Sequence, residues 1–324
     1  MKISIAGAGW HGSTLAYRIA SGDYVDEVVM VDTVEGKPQG LALDMMHGRA
    51  IDGFRTRTVG TNRYADTAGS AVCVVAAGAR RAAGMSRGDL LDANAKVVED
   101  VTRQLAERSP DAVLLVATNP IDEMVALAQV ASGFPHRRVI GEAGVLNTAR
   151  WKHTISQRLG ITPDRVEGTV LGSHGETMVP LPSLTTVDGT ALRELLSDSE
   201  IASLIEETRA CASEIIAYLK VGSGYQAAAA AGEVTVRAIV EDSGAVLPVI
   251  TWLQGEYGLS DLYLGVPAGL GSEGVREVVE LPLAPNELAE LCRAAMMIDA
   301  RQNEMEETIL RVSDRATGPS RPKR

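Results

Sequence analysis

A chain of 324 residues is long enough for two domains, or for one large domain with an ample hydrophobic core. Its hydrophobic content of 45% and charged content of 23% are ordinary for a soluble globular protein, and no apolar run approaches the roughly 18 residues needed to cross a bilayer. The net charge of -11 argues against nucleic acid and membrane surfaces as partners, although a local cluster of arginines could still bind a small anion.

The first elements in chain order are a strand, a glycine-rich turn, a helix and a second strand. The apolar run at residues 2–6 leads into the sequence GAGWHG at residues 7–12. An amphipathic stretch follows, and a second apolar run ends at Asp32, twenty residues past Gly12. A glycine fingerprint between a strand and a helix, followed by an acid at this distance, is typical of dinucleotide-binding units.

Each part of this unit has a mechanical role in holding a dinucleotide. Gly7 permits the tight turn, Gly9 lets the pyrophosphate approach the backbone, and Gly12 lets helix and strand pack closely. The helix N-terminus offers free N–H groups to the phosphates. Asp32 accepts hydrogen bonds from the adenosine ribose and repels a 2′-phosphate, so we predict NAD in preference to NADP. His11, where a small apolar residue is usual, is interpreted as a partly exposed ring beside the cofactor groove.

Alternating strands and helices continue through the first half of the chain. Residues 71–76 and 112–117 are continuous apolar runs, as expected for strands covered on both faces of a parallel sheet. The fold class is therefore α/β, with a Rossmann-type doubly wound parallel sheet as an NAD-binding domain over residues 1–141. Ligands of such sheets bind outside the carboxyl ends of the strands. The expected cofactor contacts are Gly7, Gly9, Trp10, His11, Gly12, Asp32, Gly78, Asn94, Thr118 and Asn119.

A second, mixed α+β domain is predicted over residues 142–312. Residues 185–190 read as a hairpin with an Asp-Gly turn. Long helices are expected around residues 198–220, 226–242 and 285–311. Residues 313–324 are rich in Pro, Gly and Arg and are expected to form a disordered tail.

Three arginines and a histidine have side chains suited to a small anionic substrate. Arg81 and Arg87 lie in a segment of small residues after the third apolar run, and Arg150 follows the segment at residues 141–147. Guanidinium groups bind carboxylates through two parallel charge-assisted hydrogen bonds, so several of them in one pocket suit a dicarboxylate. His174 lies between glycines and is the best candidate for a proton donor near neutral pH.

Taken together, these motifs resemble the L-lactate/malate dehydrogenase family from Met1 to about Glu307, and are most similar to its lactate-dehydrogenase-like malate dehydrogenases. The stretches that carry the resemblance are residues 7–12, Asp32 with 38–44, 84–87, 118–120, Arg150, 174–175 and 257–258. The resemblance implies an NAD-dependent oxidoreductase that moves a hydride between nicotinamide and a 2-oxo/2-hydroxy dicarboxylate. It also implies a homo-oligomer, either a dimer or a tetramer.

The family pattern assigns a role to each matched residue. By resemblance, His174 is the proton donor, Arg87 polarises the substrate carbonyl, and Arg150 clamps the C1 carboxylate. Asn119 hydrogen-bonds near the carbonyl oxygen. Arg81 falls where the family selects substrate, and an arginine there favours the second carboxylate of oxaloacetate or malate, where a glutamine would favour pyruvate.

The chain departs from the family pattern beside the histidine. Asn147 stands where the family has an aspartate that orients the ring and stabilises its charged form, a task that an amide performs only in part. Glu142 stands near the expected nicotinamide site, where a neutral residue is commoner. Glu142 or another acid is therefore a candidate to replace the lost aspartate in part.

Three interpretations stay open on the sequence alone. The chain is interpreted first as a working dehydrogenase for oxaloacetate, malate or a substituted analogue. The second is a catalytically weakened relative that binds NAD as a sensor or partner protein, and the third is an L-lactate dehydrogenase, which Arg81 disfavours. Three scattered cysteines without CxxC spacing indicate a reducing compartment and no metal site, so a cytoplasmic protein is expected.

Overall fold

The computed structural model describes residues 1–79, 87–220 and 222–316, with backbone alone at residues 87–90 and 306–316. Arg81, predicted to select substrate, lies outside the described residues. Arg87, predicted to polarise the substrate carbonyl, is described only as the first residue of a helix.

The first part of the chain alternates strands and helices as the apolar runs predicted. In chain order the elements are β1 (Lys2–Ala6), α1 (Trp10–Gly22), β2 (Glu27–Val31), α2 (Lys37–Asp52), β3 (Arg57–Thr61), β4 (Val72–Val75), α3 (Arg87–Arg108), β5 (Val113–Val116), α4 (Ile121–Ser132) and β6 (Val139–Gly141). β4 and β5 are buried along their whole length, because helices cover both faces of the sheet at these strands.

The second part mixes short antiparallel strands with long helices. Its elements are α5 (Gly144–Leu159), β7 (Val166–Glu167), β8 (Val170–Gly172), β9 (Met178–Pro180), β10 (Thr186–Val187), β11 (Thr190–Ala191), α6 (Leu192–Leu195), α7 (Asp198–Leu219), α8 (Gln226–Val240), β12 (Val246–Gln254), β13 (Ser260–Gly271), β14 (Gly274–Val278) and α9 (Pro285–Ala316). The Asp-Gly hairpin is present between β10 and β11, and both turn residues have positive φ, as a type I′ turn requires.

The sheet has the doubly wound topology predicted for a dinucleotide-binding unit. Its order is β3-β2-β1-β4-β5-β6, and these strands run parallel, with the order reversing between β1 and β4. The sheet then continues through β12, β13, β8 and β9, which pair in antiparallel fashion. The loop between β8 and β9 is thereby carried by the same sheet that carries the glycine loop.

Apolar side chains on the two faces of the sheet form the core. One face packs Ile3, Ile5 and Val74 against the inner side of α1, including Leu15 and Ile19. The other face packs strands β4 and β5 against the apolar side chains of α3 and α4. This packing holds the carboxyl ends of the parallel strands in place, which is where ligands of such sheets bind.

The C-terminal helix is longer than the sequence indicated. α9 runs from Pro285 to Ala316, so its last four residues overlap the segment 313–324 that was expected to be a disordered tail. That part of the expectation is wrong, and residues 317–324 lie outside the described residues. In the described ranges no helix combines the length and apolar character needed to span a membrane.

Candidate active site

The glycine loop has the geometry of a phosphate cradle. Gly7 has a φ of 105°, and a Cβ built on Gly12 would lie 1.9 Å from the carbonyl oxygen of Gly7, so both positions require glycine. Apart from its chain neighbours, no described residue has a heavy atom within 4 Å of a Cβ built on Gly9, so this side of the loop has space for a ligand. The N-cap residue of α1, Gly9, makes no side-chain cap hydrogen bond, and the N-terminus of a helix favours an anion. These features fit a dinucleotide pyrophosphate.

Asp32 is held at the carboxyl end of β2 and stays ionised. Its carboxylate accepts hydrogen bonds from the backbone N–H of Ala8 at 2.8 Å and of Val34 at 2.9 Å, and Lys37 Nζ lies 3.4 Å away. Burial by itself would raise the pKa of Asp32, but these hydrogen bonds and the lysine charge hold it below its usual value. An ionised acid fixed at this place suits the adenosine ribose of NAD.

Asn94 and Thr118 shape the loops that follow β4 and β5. Asn94 is buried, and its amide accepts the Ala79 N–H at 2.6 Å and donates to the Asn119 carbonyl at 2.6 Å. Thr118 donates its hydroxyl to the Ala77 carbonyl at 2.8 Å. A direct contact of these side chains with the cofactor stays a prediction, since the hydrogen bonds described above join one loop to the next. Asn119 precedes a cis proline at the end of β5.

Gly78 is packed where those two loops meet. A Cβ built on Gly78 would lie 2.7 Å from the Thr118 side chain and 3.0 Å from Asn94 Oδ1. The residue is glycine because the neighbouring loops approach closely, and the same closeness keeps the backbone beside the groove.

His174 lies on the loop between β8 and β9, with its ring against α5. Its Nδ1 is 3.0 Å from Asn147 Oδ1, and the Asn147 amide nitrogen donates to the Ser173 carbonyl at 3.3 Å. An amide oxygen accepts only from a protonated Nδ1, so Asn147 leaves Nε2 as the nitrogen that can exchange a proton with substrate. The structure thus brings together His174 and Asn147, as the resemblance to the family implied.

The backbone of His174 is fixed by an acid that sequence reasoning missed. The N–H of His174 donates to the Asp122 carboxylate at 3.0 Å, and Asp122 lies in the first turn of α4 after the cis proline. No spacing in the sequence links residues 122 and 174, because the contact joins two distant elements. Asp122 positions the histidine loop on the sheet.

Arg150 projects from α5 one turn beyond Asn147, so both residues lie on the same helix face. Burial lowers the pKa of the Arg150 guanidinium from its usual value. An arginine side chain nevertheless carries its charge at neutral pH. Among the residues that the structure describes, no carboxylate forms an ion pair with Arg150. A half-buried cation without a counter-ion beside a histidine is suited to bind an anionic substrate.

The charge of Arg150 acts on the neighbouring imidazole. Part of His174 is accessible, but its ring is lodged among protein atoms, and this burial, together with the positive charge of Arg150, lowers the pKa of His174 to about 4. The ring is therefore neutral at neutral pH without substrate. An anion on Arg150 would offset that charge and raise the pKa of His174.

Glu142 does not replace the missing aspartate. Its carboxylate lies 3.4 Å from His11 Nε2 in the glycine loop, whereas the ring of His174 bonds to the Asn147 amide. The expectation that Glu142 supports His174 is corrected accordingly. The His11 side chain is 22% exposed, as the interpretation of a partly exposed ring at this loop predicted, but its pairing with Glu142 was not foreseen.

Trp10 lies at the outer edge of the glycine loop and is 44% exposed. Its ring centroid is 5.5 Å from that of Tyr225, at the start of α8. A Cβ built on Gly222 would lie 3.0 Å from the Trp10 ring. These contacts place Trp10 beside the loop predicted to bind the cofactor, and its contact with cofactor stays a prediction.

Comparison with family models agrees with the two parts of the chain. Residues 1–141 match the model of the lactate/malate dehydrogenase NAD binding domain. Residues 144–309 match the model of the lactate/malate dehydrogenase alpha/beta C-terminal domain. Together these matches cover most of the sequence, including the glycine loop, Asn147, Arg150 and His174.

Individual relatives and solved structures are similar over nearly the whole chain. A malate dehydrogenase from Roseiflexus castenholzii is 45% identical over 299 residues, which is 92% of this chain and 96% of the relative. The structure of malate dehydrogenase from Salinibacter ruber has a TM-score of 0.90 at 40% identity, covering 98% of this chain and all of that one. A lactate dehydrogenase from Cryptosporidium parvum, solved with lactic acid and nicotinamide adenine dinucleotide, has a TM-score of 0.90 at 34% identity, covering 94% of this chain and 98% of that one.

Proposed function

Because the chain belongs to the lactate/malate dehydrogenase family and is an NAD-dependent 2-hydroxy acid dehydrogenase of the malate dehydrogenase type, we propose that it uses His174 and Arg150 on a 2-oxo/2-hydroxy dicarboxylate. Oxaloacetate and malate are the substrates that this proposal names first. The observation that carries it is the Arg150 guanidinium, which forms no ion pair with the described residues and whose charge reaches the imidazole of His174.

Two residues carry the proposed chemistry. Bound NADH supplies the hydride that reduces the carbonyl carbon. Arg150 binds the C1 carboxylate through paired hydrogen bonds and fixes the orientation of the substrate. His174 Nε2 donates the proton to the carbonyl oxygen as negative charge develops there, and Asn147 holds the tautomer through Nδ1. In malate oxidation the same nitrogen accepts the proton.

The remaining roles follow from the family pattern. We infer that Arg87 polarises the carbonyl, that Asn119 hydrogen-bonds near it, and that Arg81 binds the second carboxylate. We further propose that residues 1–141 form the cofactor domain and residues 142–312 the substrate domain. The matches to separate family models over 1–141 and 144–309 support this division.

The assembly and the compartment of the protein are inferred from its exposed apolar side chains and its cysteines. Large apolar side chains are exposed on α1 and α2, including Tyr17, Leu43 and Ile51, and a second copy of the chain would cover such surface. We therefore infer a homo-oligomer. Cys73, Cys211 and Cys292 are free thiols, which supports the cytoplasm as its compartment.

The proposed function is tested by turnover with a panel of 2-oxo acids. We expect the purified protein to oxidise NADH with oxaloacetate. NADPH should be oxidised more slowly, because Asp32 repels its 2′-phosphate. The measurement is the initial rate of absorbance loss at saturating cofactor. Binding of NADH by calorimetry, with no turnover of any 2-oxo acid, would support the sensor interpretation instead.

The effect of Asn147 is tested by restoring an acid. Asn147→Asp is expected to raise the pKa of His174, because a carboxylate beside Nδ1 stabilises the imidazolium that Asn147 leaves unsupported. Reduction then persists to a pH about one to two units higher, and kcat/KM for oxaloacetate at neutral pH rises about tenfold. The measurement is the pH dependence of kcat/KM in both directions.

A control separates this effect from a general change at α5. His153 is exposed on the same helix, and His153→Asn should leave the pH profile in place. An Asn147→Asp profile that coincides with that of the parent chain would contradict the role assigned to Asn147.

A further inference from the structure

His11 and Glu142 form a buried pair that the proposed catalytic steps do not use. His11 lies in the first turn of α1, and Glu142 directly follows β6. Their side chains are 22% and 2% exposed, and Nε2 and Oε2 face each other at 3.4 Å. Within the described part of the chain, neither atom has a hydrogen-bond partner beyond this contact with the other. Burying polar atoms with so few hydrogen-bond partners costs free energy of folding, so the pair requires a functional explanation.

A glycine on a third element makes room for the pair. Gly232 lies in the interior of α8, where glycine is a poor helix former. A Cβ built on Gly232 would lie 2.6 Å from Glu142 Oε2, so a larger residue would displace the carboxylate. Because α8 packs on α1, the carboxylate is held between these helices and the end of β6. His11, Glu142 and Gly232, which are distant in sequence, thus pack together at one place.

The strand order places this pair on the nicotinamide side of the cofactor groove. A dinucleotide lies across the point where the strand order reverses, which here is between β1 and β4. Asp32, after β2, lies on the adenosine side. Glu142 follows β6 on the opposite side, and its backbone N–H donates to the Val116 carbonyl at the end of β5. His11 reaches Glu142 from the glycine loop itself.

We propose that the His11–Glu142 pair couples the charge of the bound nicotinamide to a proton, and so sets a pH-dependent preference for NAD⁺ over NADH. The inference rests on the proposed function, since it concerns the same cofactor site. The nicotinamide ring is positively charged in NAD⁺ and neutral in NADH. NAD⁺ therefore favours an ionised Glu142 with a neutral His11, whereas NADH is compatible with a protonated His11. On NAD⁺ binding, the proton leaves His11 for solvent, and no other bond changes.

The electrostatics of the pair agree with this assignment. Burial has the largest single effect and lowers the pKa of His11, but the charge of Glu142 and its side-chain contact with the ring together raise the pKa to above its usual value. Burial raises the pKa of Glu142, and His11 opposes that shift only in part. Because each group shifts the pKa of the other, a positive charge placed beside the pair changes how readily the pair holds a proton.

Charged groups on the surrounding elements act on other partners. On α8, Glu233 and Arg237 pair with each other at 2.9 Å. On α4, Asp122 accepts the backbone N–H of His174, and on α5 the charge of Arg150 acts on the His174 ring. Arg18, on α1, is exposed. The group that faces His11 is thus Glu142.

The test is the binding of each cofactor alone across pH. The dissociation constants of NAD⁺ and NADH are measured by calorimetry between about pH 6 and about pH 9, without substrate. For the parent chain, NAD⁺ binding is expected to strengthen relative to NADH by about tenfold as pH rises. In Glu142→Gln the ratio is expected to be flat, because burial then keeps His11 neutral over this range. At high pH, the affinity of the Glu142→Gln variant for NAD⁺ is also expected to be about tenfold lower than that of the parent chain.

Two further variants make the result specific. Glu233→Gln removes the same charge from the position next to Gly232, and it should keep the pH slope of the parent chain. The double variant His11→Gln with Glu142→Gln contains no titrating group at this place, so its ratio should be flat even if the single variant is unstable. The proposal would be overturned if the ratio of the NAD⁺ and NADH dissociation constants of the parent chain did not change with pH. It would also be overturned if the pH dependence of this ratio persisted in both Glu142→Gln and the double variant. Because substrate is absent, failure of oxaloacetate turnover would leave this result untouched.

Discussion

Replacing His174 with glutamine is expected to lower kcat for oxaloacetate reduction by about 10³-fold, with little change in the affinity for NADH. Glutamine keeps a polar side chain of similar length but has no proton to donate at neutral pH. The proposed transition state would then lose its proton donor while the glycine loop and Asp32 keep their geometry. The measurement is kcat from NADH oxidation, together with the NADH dissociation constant.

The chain offers a matched control for this substitution. His153 lies exposed on α5, the helix that also carries Asn147, and His153→Gln should retain kcat within a factor of about two. If His174→Gln lost less than about tenfold in kcat, another group would be the proton donor and the assignment would be wrong.

Replacing Arg150 with glutamine is expected to reduce kcat/KM for oxaloacetate by about 10³-fold, mainly through a higher KM. The guanidinium is half-buried and has no described counter-ion, so its paired hydrogen bonds to a carboxylate form with little competition from the protein. Glutamine has neither the charge nor the planar fork. Steady-state kinetics over a wide range of oxaloacetate concentration give both constants.

The same variant has a second expected effect, on pH dependence. The positive charge of Arg150 helps to lower the pKa of His174 to about 4, so removing that charge raises the pKa of the ring in the free enzyme. Malate oxidation requires a neutral His174, and its acid limb should therefore move to higher pH. Arg158 lies on the same helix and pairs with Glu207 at 2.7 Å, so Arg158→Gln should change neither kcat nor KM for oxaloacetate. A loss in kcat/KM without any shift of the acid limb would contradict the closeness of the two side chains.

Local features of the site could be predicted from the sequence because a few consecutive residues determine them. The turn at Gly7, the close packing at Gly12 and the acid after β2 depend on backbone geometry within one strand–helix–strand unit. The Asp-Gly hairpin was predictable for the same reason. The pairing of His174 with Asn147 was accessible only through the resemblance to a family, since nothing in the spacing brings these residues together.

Features that depend on packing between distant elements could not be predicted. Each of His11, Glu142 and Gly232 lies on a different element, and each alone has an ordinary interpretation. Asp122 was missed because its acceptor role toward His174 follows from the antiparallel extension of the sheet beyond β6. The end of α9 was misplaced because Pro, Gly and Arg further along the chain outweighed the helical residues at 313–316 in the composition of that segment.

The central claim is that the site is built for a dicarboxylate, and the ratio of kcat/KM for oxaloacetate to kcat/KM for pyruvate, with NADH, tests it most directly. We expect a ratio of at least about 10³, because the proposed site, in which Arg150 and Arg81 each bind one carboxylate, would leave one of these cations unpaired when pyruvate binds. Arg81→Gln should lower this ratio, because kcat/KM for oxaloacetate falls. Faster turnover of pyruvate than of oxaloacetate by the parent chain would contradict the claim.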